Sequence, residues 1–67
     1  MFIYVNSNRQ EFPDLANIKV TLDHLNISSQ RGIAIAINNN VVPRQEWETY
    51  ELQPEDKMTI IRATQGG

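Results

Sequence analysis

Short apolar segments alternate with polar clusters along the 67-residue chain. Residues 2–5 form an apolar and aromatic segment, and after a polar cluster residues 10–12, which Pro13 ends, form a second candidate strand. The aromatic and β-branched residues in these segments favour strands, and the polar residues between them favour a tight turn. The chain is therefore predicted to begin with two short strands.

A single amphipathic helix is predicted to follow, over about residues 17–26. Ile18, Leu22 and Leu25 recur at positions i, i+4 and i+7, so they share one helical face. Asn17 has a side-chain oxygen that can cap the first turn.

Residues 33–37 give the clearest strand signal, because isoleucine and alanine alternate with a period of two. The three isoleucines therefore share one face, and Ala34 and Ala36 share the other. The asparagines at 38–40 predict a turn, and residues 41–42 form a short strand after it.

The last third of the chain completes the predicted order β-β-α-β-β-β. It contains a helical turn or loop at 44–47, a brief extended piece at 50–52, a turn at 53–56 and a final strand at 57–63. One amphipathic helix needs one sheet face to cover its apolar stripe. The predicted fold class is therefore α+β, with a mixed sheet of four to five strands embracing one helix. Residues 1–63 are expected to form this domain and residues 64–67 a flexible tail.

The alternation divides the strand residues between two sheet faces. The face toward the helix is predicted to carry Ile3, Val5, Ile33, Ile35, Ile37, Met58 and Ile60. The opposite face is predicted to carry Phe2, Tyr4, Ala34, Ala36, Thr59 and Ile61. Apolar groups beside small side chains are typical of protein-binding surfaces, whereas isolated surface hydrophobes are normal on monomers. The candidate partner-binding residues are Phe2, Tyr4, Ala34, Ala36 and Ile61.

Composition narrows the function classes. The formal net charge is −2, and the six Lys and Arg residues are scattered, which argues against a nucleic-acid surface. No apolar run is long enough to cross a membrane, and the first residues lack the pattern of a secretory signal. We therefore expect a cytoplasmic protein with no nucleic-acid or membrane partner.

The side chains offer little for catalysis. His24 is the single histidine and the chain has no cysteine, so neither a nucleophile–base pair nor a metal site is indicated. The acidic residues between 46 and 56 lack the spacing of a calcium loop. Trp47, with Tyr50 three residues away, is interpreted as a core anchor rather than as a contact site. The chain is expected not to be an enzyme.

The C-terminal end has a different character. The last predicted strand runs through Thr64 and Gln65 into Gly66-Gly67 and a free carboxylate. Glycine lacks a Cβ, so such a tail can enter a narrow active site on another protein and present its carboxylate there. A frayed end or a truncated chain is the structural alternative.

Residues 36–47 have the pattern A-I-N-x-x-x-V-P-R-x-x-W. With this pattern, the order of elements, the length and the terminal glycines, the chain resembles the ThiS family of sulfur-carrier proteins. These proteins are relatives of ubiquitin with the β-grasp fold. The resemblance implies that an E1-like adenylyltransferase activates the carboxylate of Gly67 with ATP. It further implies that a sulfur donor system converts this group to a thiocarboxylate, and that thiazole synthase receives the sulfur. No bound cofactor is implied.

The absence of cysteine agrees with this reading, because a sulfur carried here cannot be a side-chain persulfide. Relatives of this kind occur in bacteria and plastids, so the plastid stroma is an alternative location. Three other functions stay open: a molybdopterin synthase small subunit, a ubiquitin-like interaction module without covalent chemistry, and a protein modifier. For a modifier, Lys19 and Lys57 are the available internal acceptors.

Overall fold

The computed structural model describes residues 1–27 and 32–62, and the order of elements there is the predicted one. The elements are β1 (Phe2–Val5), β2 (Asn8–Glu11), α1 (Ile18–His24), β3 (Ile33–Ile37), β4 (Asn40–Val42) and β5 (Lys57–Arg62), with a 3₁₀ turn at Arg44–Glu46. The strands form one sheet in the order β2-β1-β5-β3-β4. β1 and β5 run parallel, and the other neighbours are antiparallel. This mixed five-stranded sheet with one helix confirms the predicted fold class.

Two-residue turns close both hairpins. Asn6 and Ser7 have φ values of 50° and 73°, and Asn38 and Asn39 have values of 51° and 71°. Positive φ at both central residues matches the right-handed twist of the flanking strands, and asparagine tolerates it well. The predicted turn at 38–40 is therefore one residue too long, because Asn40 already pairs with Ile37 in the sheet.

The second strand lies earlier than the sequence predicts. It covers Asn8–Glu11 rather than residues 10–12, since the tight turn brings Asn8 directly opposite Val5. Phe12 follows the strand and is buried. A polar edge strand gives no apolar signal, which is why the prediction began two residues late.

The helix is bounded by clear capping interactions. Asn17 caps the N-terminus as predicted, with its Oδ1 accepting a hydrogen bond from the Val20 N–H at 2.7 Å. At the other end Asn26 has φ 61°, and the N–H of Ile27 donates to the carbonyl of Leu22 at 3.1 Å. This C-terminal motif ends the helix at His24, so the predicted end at residue 26 is wrong.

The core lies between α1 and the sheet face that carries the isoleucines of β3. Its fully buried large side chains are Ile3, Ile18, Leu22, Ile35, Ile37, Leu52 and Met58. Ile33 and Ile60 lie at its margin and are partly buried. The predicted inner face is therefore confirmed.

The segment between β4 and β5 closes one end of this core. Trp47 is 3% exposed, and its Nε1–H donates to the carbonyl of Val42 at 2.9 Å. The backbone N–H of Lys19 donates to the Trp47 carbonyl at 3.2 Å, which fastens the segment to the helix. Trp47 is thus the core anchor that the sequence predicts. The extended piece at 50–52 is reduced to one bridge between Asn17 and Glu51.

Candidate functional site

The outer face of the sheet, opposite the helix, carries the predicted partner-binding residues. Strand pairing sets Ala34 opposite Ile61 and Ala36 opposite Thr59 on this face. Ile61 is 47% exposed and Phe2 is 40% exposed, whereas Tyr4 and Ala34 are half-buried. The predicted face is therefore the right one for all five residues.

Ala36 contributes little surface of its own, because it is 7% exposed. Its cross-strand neighbours are Val41 on one side and Thr59 on the other, and their larger side chains flank its single methyl group. Ala36 is therefore buried, and its place in partner binding stays a prediction that rests on its small side chain.

Val41 is an outer-face residue that the sequence reasoning missed. It is 67% exposed and pairs directly with Ala36. The two-residue turn at Asn38 and Asn39 fixes this pairing, so an exact reading of the turn would have placed Val41 on the outer face.

The apolar residues of this face form two separate groups. Ala34, Val41 and Ile61 lie on the β3, β4 and β5 side, and we call them the apolar patch. A shallow cavity of about 320 Å³ lies beside the patch and is lined by Gly32, Ile33, Ala34 and Ile61. The cavity therefore adjoins two of the three residues of the patch, Ala34 and Ile61.

The second group consists of Phe2 and Tyr4 on β1, and the charged side chain of Arg9 partly covers it. The guanidinium of Arg9 lies 4.1 Å from the centre of the Phe2 ring, a cation–π contact. Arg9 also pairs with Glu55 at 4.0 Å. Lys57 and Thr59 project from β5 between this group and β3, so the predicted docking residues do not form one continuous apolar surface.

The central strand leads toward the proposed chemical terminus. β5 lies between β1 and β3, and Ile61 and Arg62 are its last residues. The candidate residues Thr64, Gln65, Gly66 and Gly67 lie outside the described residues. The predicted tail boundary at 63–64 also lies there.

His24 and the acidic residues of the second half, which were considered for catalysis or metal binding, do not form a site together. The ring of His24 meets the edge of Phe12 with 5.1 Å between ring centres. The acidic side chains of the second half are spread over the surface, and no cluster of three potential metal ligands occurs within residues 1–27 and 32–62. In the same ranges, no helix has the length and apolar character that a membrane span requires.

Comparison with known proteins now adds to this geometry. The sequence model of the ThiS family matches residues 3–67, nearly the whole chain. The chain belongs to the ThiS family. Sulfur carrier protein ThiS of Escherichia coli (strain K12) is 37% identical to it over 38 residues, which span 57% of this chain and 58% of the E. coli protein. The aligned region thus covers just over half the length of that relative.

A solved structure shares the fold of this ThiS-family chain. The crystal structure of a thiamine biosynthesis protein (ThiS) from Geobacter metallireducens superposes with a TM-score of 0.84 and covers 100% of both chains. The two sequences are 17% identical, so this likeness concerns the fold. It extends the β-grasp arrangement of sheet and helix to a relative of distant sequence.

Proposed function

We propose that this ThiS-family chain is a sulfur carrier for thiazole formation in thiamine biosynthesis. The family match over residues 3–67 carries the proposal, because it includes the sheet as well as the terminal Gly66-Gly67. The E. coli relative is a sulfur carrier protein, and the Geobacter protein of the same fold is a thiamine biosynthesis protein. The role is that of a protein cosubstrate rather than an enzyme.

The proposed chemistry takes place at the α-carboxylate of Gly67. A carboxylate oxygen attacks the α-phosphorus of ATP on an E1-like adenylyltransferase, and pyrophosphate leaves. Hydrosulfide delivered by a donor system then attacks the acyl carbon, the bond between that carbon and the AMP oxygen breaks, and AMP leaves with a thiocarboxylate as the product. Thiazole synthase accepts this sulfur. The chain supplies the carboxylate, and the partner supplies the ATP site.

We further propose that the apolar patch and the neighbouring Phe2 and Tyr4 dock these partners. The patch lies on the face opposite the core, so a partner can cover it without disturbing the packing of α1. Ile61 is its most instructive member, because it is half-exposed and lies near the C-terminal end of β5. A partner bound there lies beside the strand that leads to Gly67.

Replacing Ile61 with aspartate tests this docking surface. Ile61→Asp should weaken binding to the adenylyltransferase at least tenfold, about 1.4 kcal/mol, because a charge would be desolvated at the contact. Val20→Asp is the matched control, since Val20 is 44% exposed on the helix, away from the sheet. Titration calorimetry measures both affinities. Equal affinities for Ile61→Asp and the unsubstituted chain would move the interface elsewhere.

Changing the C-terminus tests the site of modification. Deleting Gly67, or adding one residue after it, should abolish thiocarboxylate formation while the thermal midpoint stays nearly unchanged. The fold should be retained because a terminal residue of this kind buries little area. Mass spectrometry follows the modification, and circular dichroism follows the fold. Sulfur loading of the extended chain at the normal rate would contradict the proposal.

A further inference from the structure

A polar cavity of about 360 Å³ lies on the outer sheet face, at the end opposite the apolar patch. It lies between the two hairpin turns, where β5 begins. Its polar lining residues are Tyr4, Ser7, Asn38, Asn39, Lys57 and Thr59. We call it the polar pocket.

Hydrogen bonds from both turns hold the walls of the polar pocket in place. The N–H of Asn6 donates to the Met58 carbonyl at 2.9 Å, and the N–H of Asn38 donates to the Lys57 carbonyl at 2.8 Å. Their side chains add to this frame, since Asn6 Oδ1 accepts from the Ile60 N–H and Asn38 Oδ1 accepts from the Lys57 N–H. Hydrogen bonds from both turns thus hold the first residues of β5 in place. The pocket is therefore preorganised by backbone contacts and by the side chain of Asn38, which is itself one of the lining residues.

The lining of the polar pocket is rich in donors and carries one charge. Lys57 supplies the ammonium, and Tyr4, Ser7 and Thr59 supply hydroxyl groups. Within residues 1–27 and 32–62, none of these four side chains has a hydrogen bond or an ion pair to the protein. Such a set of free donors around one cation suits an oxyanion.

The nearest carboxylate along the chain is already committed elsewhere. Asp56 precedes Lys57, yet its Oδ1 accepts from Asn38 Nδ2 at 3.0 Å and its Oδ2 accepts from the Gln53 N–H at 2.8 Å. Glu55, the next carboxylate, lies 4.0 Å from Arg9. Within residues 1–27 and 32–62 neither carboxylate forms an ion pair with Lys57, so its ammonium can pair with an anion from outside the chain.

We propose that the polar pocket receives one carboxylate side chain of the partner that docks on the outer face. This inference rests on the proposed docking function, because it needs a partner on this face. A carboxylate is favoured over a phosphate dianion because the lining provides a single positive charge. The positive charge also stands out on a chain with a net charge of −2. The partner is thus expected to present an acidic residue opposite Lys57.

The position of the polar pocket would let this contact orient a docked partner. Lys57 begins β5, and Ile61 of the apolar patch lies four residues further along the same strand. One polar and one apolar contact at opposite ends of the strand fix the rotation of a docked partner more firmly than the apolar patch alone. Charge pairs of this kind chiefly set specificity, register and association rate.

Neutralising Lys57 tests the inference, with Lys19 as the matched control. Lys57→Gln should weaken binding to the adenylyltransferase about tenfold at low salt, and Lys57→Arg should retain most of the affinity. Lys19→Gln makes the same change in net charge on the helix, where Lys19 pairs with Asp23 at 3.4 Å. It should change the affinity less than about twofold, because it lies on the opposite face. Titration calorimetry at two salt concentrations measures all three variants.

Three results would overturn the inference. These are an unchanged affinity for Lys57→Gln, an equal loss for both glutamine variants, and Lys57-dependent binding of inorganic phosphate, but not acetate, to the isolated chain. The last is read from amide chemical shifts of Ser7, Asn39 and Thr59. The mass assay of Gly67 keeps this test separate from the proposed function. If the unsubstituted chain is loaded with sulfur but Lys57→Gln binds normally, the inference alone fails.

Discussion

Adjacent residues of β3 have opposite environments, and this makes the strand a direct test of the packing. Ile35 is 0% exposed between α1 and the sheet, whereas Ala34 is half-buried on the outer face. Ile35→Ala should lower the free energy of unfolding by about 2–5 kcal/mol, because it leaves a cavity in a small core. Ala34→Ser should cost well under that, since its hydroxyl can reach water. Urea denaturation measures both, and an equal or larger loss for Ala34→Ser would contradict the register.

Leu15 is a single residue whose backbone conformation does not suit its side chain. Its φ is 67°, a region that is unfavourable for a branched residue, and its side chain is 73% exposed. Leu15→Asn should therefore raise the free energy of unfolding by about 0.5–1 kcal/mol, because asparagine tolerates the left-handed region and little apolar burial is lost. Leu15→Ala is the control and should bring no gain. A thermal midpoint for Leu15→Asn at or below that of Leu15→Ala would show that the strain is absent.

The side chain of Asn17 adds to the backbone contacts that join the helix to the segment before β5. Asn17 caps α1 through its oxygen, while its Nδ2 donates to the Glu48 carbonyl at 3.0 Å. Asn17→Ala should lower the free energy of unfolding by about 1–2 kcal/mol, because both bonds are lost.

Asn17→Asp separates the two contributions. Aspartate keeps the capping oxygen but removes the donor to Glu48, so its loss should be smaller than that of Asn17→Ala. Chemical denaturation of the two variants measures the difference. If aspartate costs as much as alanine, the cap is not the stabilising contact.

Elements with periodic apolar residues were predictable from the sequence, and elements defined by tertiary pairing were not. The isoleucine spacing of β3 and the spacing of Ile18 and Leu22 in α1 reflect burial on one face, so sequence alone locates them. The start of β2 was missed because an edge strand of polar residues has no such period. The helix end was missed because Asn26 adopts the left-handed conformation of a C-terminal cap, and the neighbouring residues give no sequence signal for it.

In the candidate site, too, sequence periodicity predicted some features, whereas others depend on tertiary pairing. The outer face was assigned correctly because side chains alternate along every strand. Whether a residue on that face is accessible depends on its cross-strand neighbours, which is why Ala36 proved buried and Val41 was overlooked. The polar pocket lies beyond sequence reasoning altogether, since Ser7 and Lys57 are brought together by the pairing of β1 with β5.

In the molecule as a whole, the core and the proposed partner-binding surface lie on different faces of one sheet. The inner face and α1 hold the core, and the outer face offers the apolar patch and the polar pocket. The proposed chemistry uses neither face directly, since it takes place at Gly67.

The intact mass of the chain after incubation with ATP, a sulfur donor system and the adenylyltransferase tests the carrier role most directly. Replacement of one carboxylate oxygen by sulfur should add about 16 mass units, and the increase should require ATP. Fragmentation should locate the added mass at Gly67. An unchanged mass in the complete reaction, or an equal increase without ATP, would contradict the account.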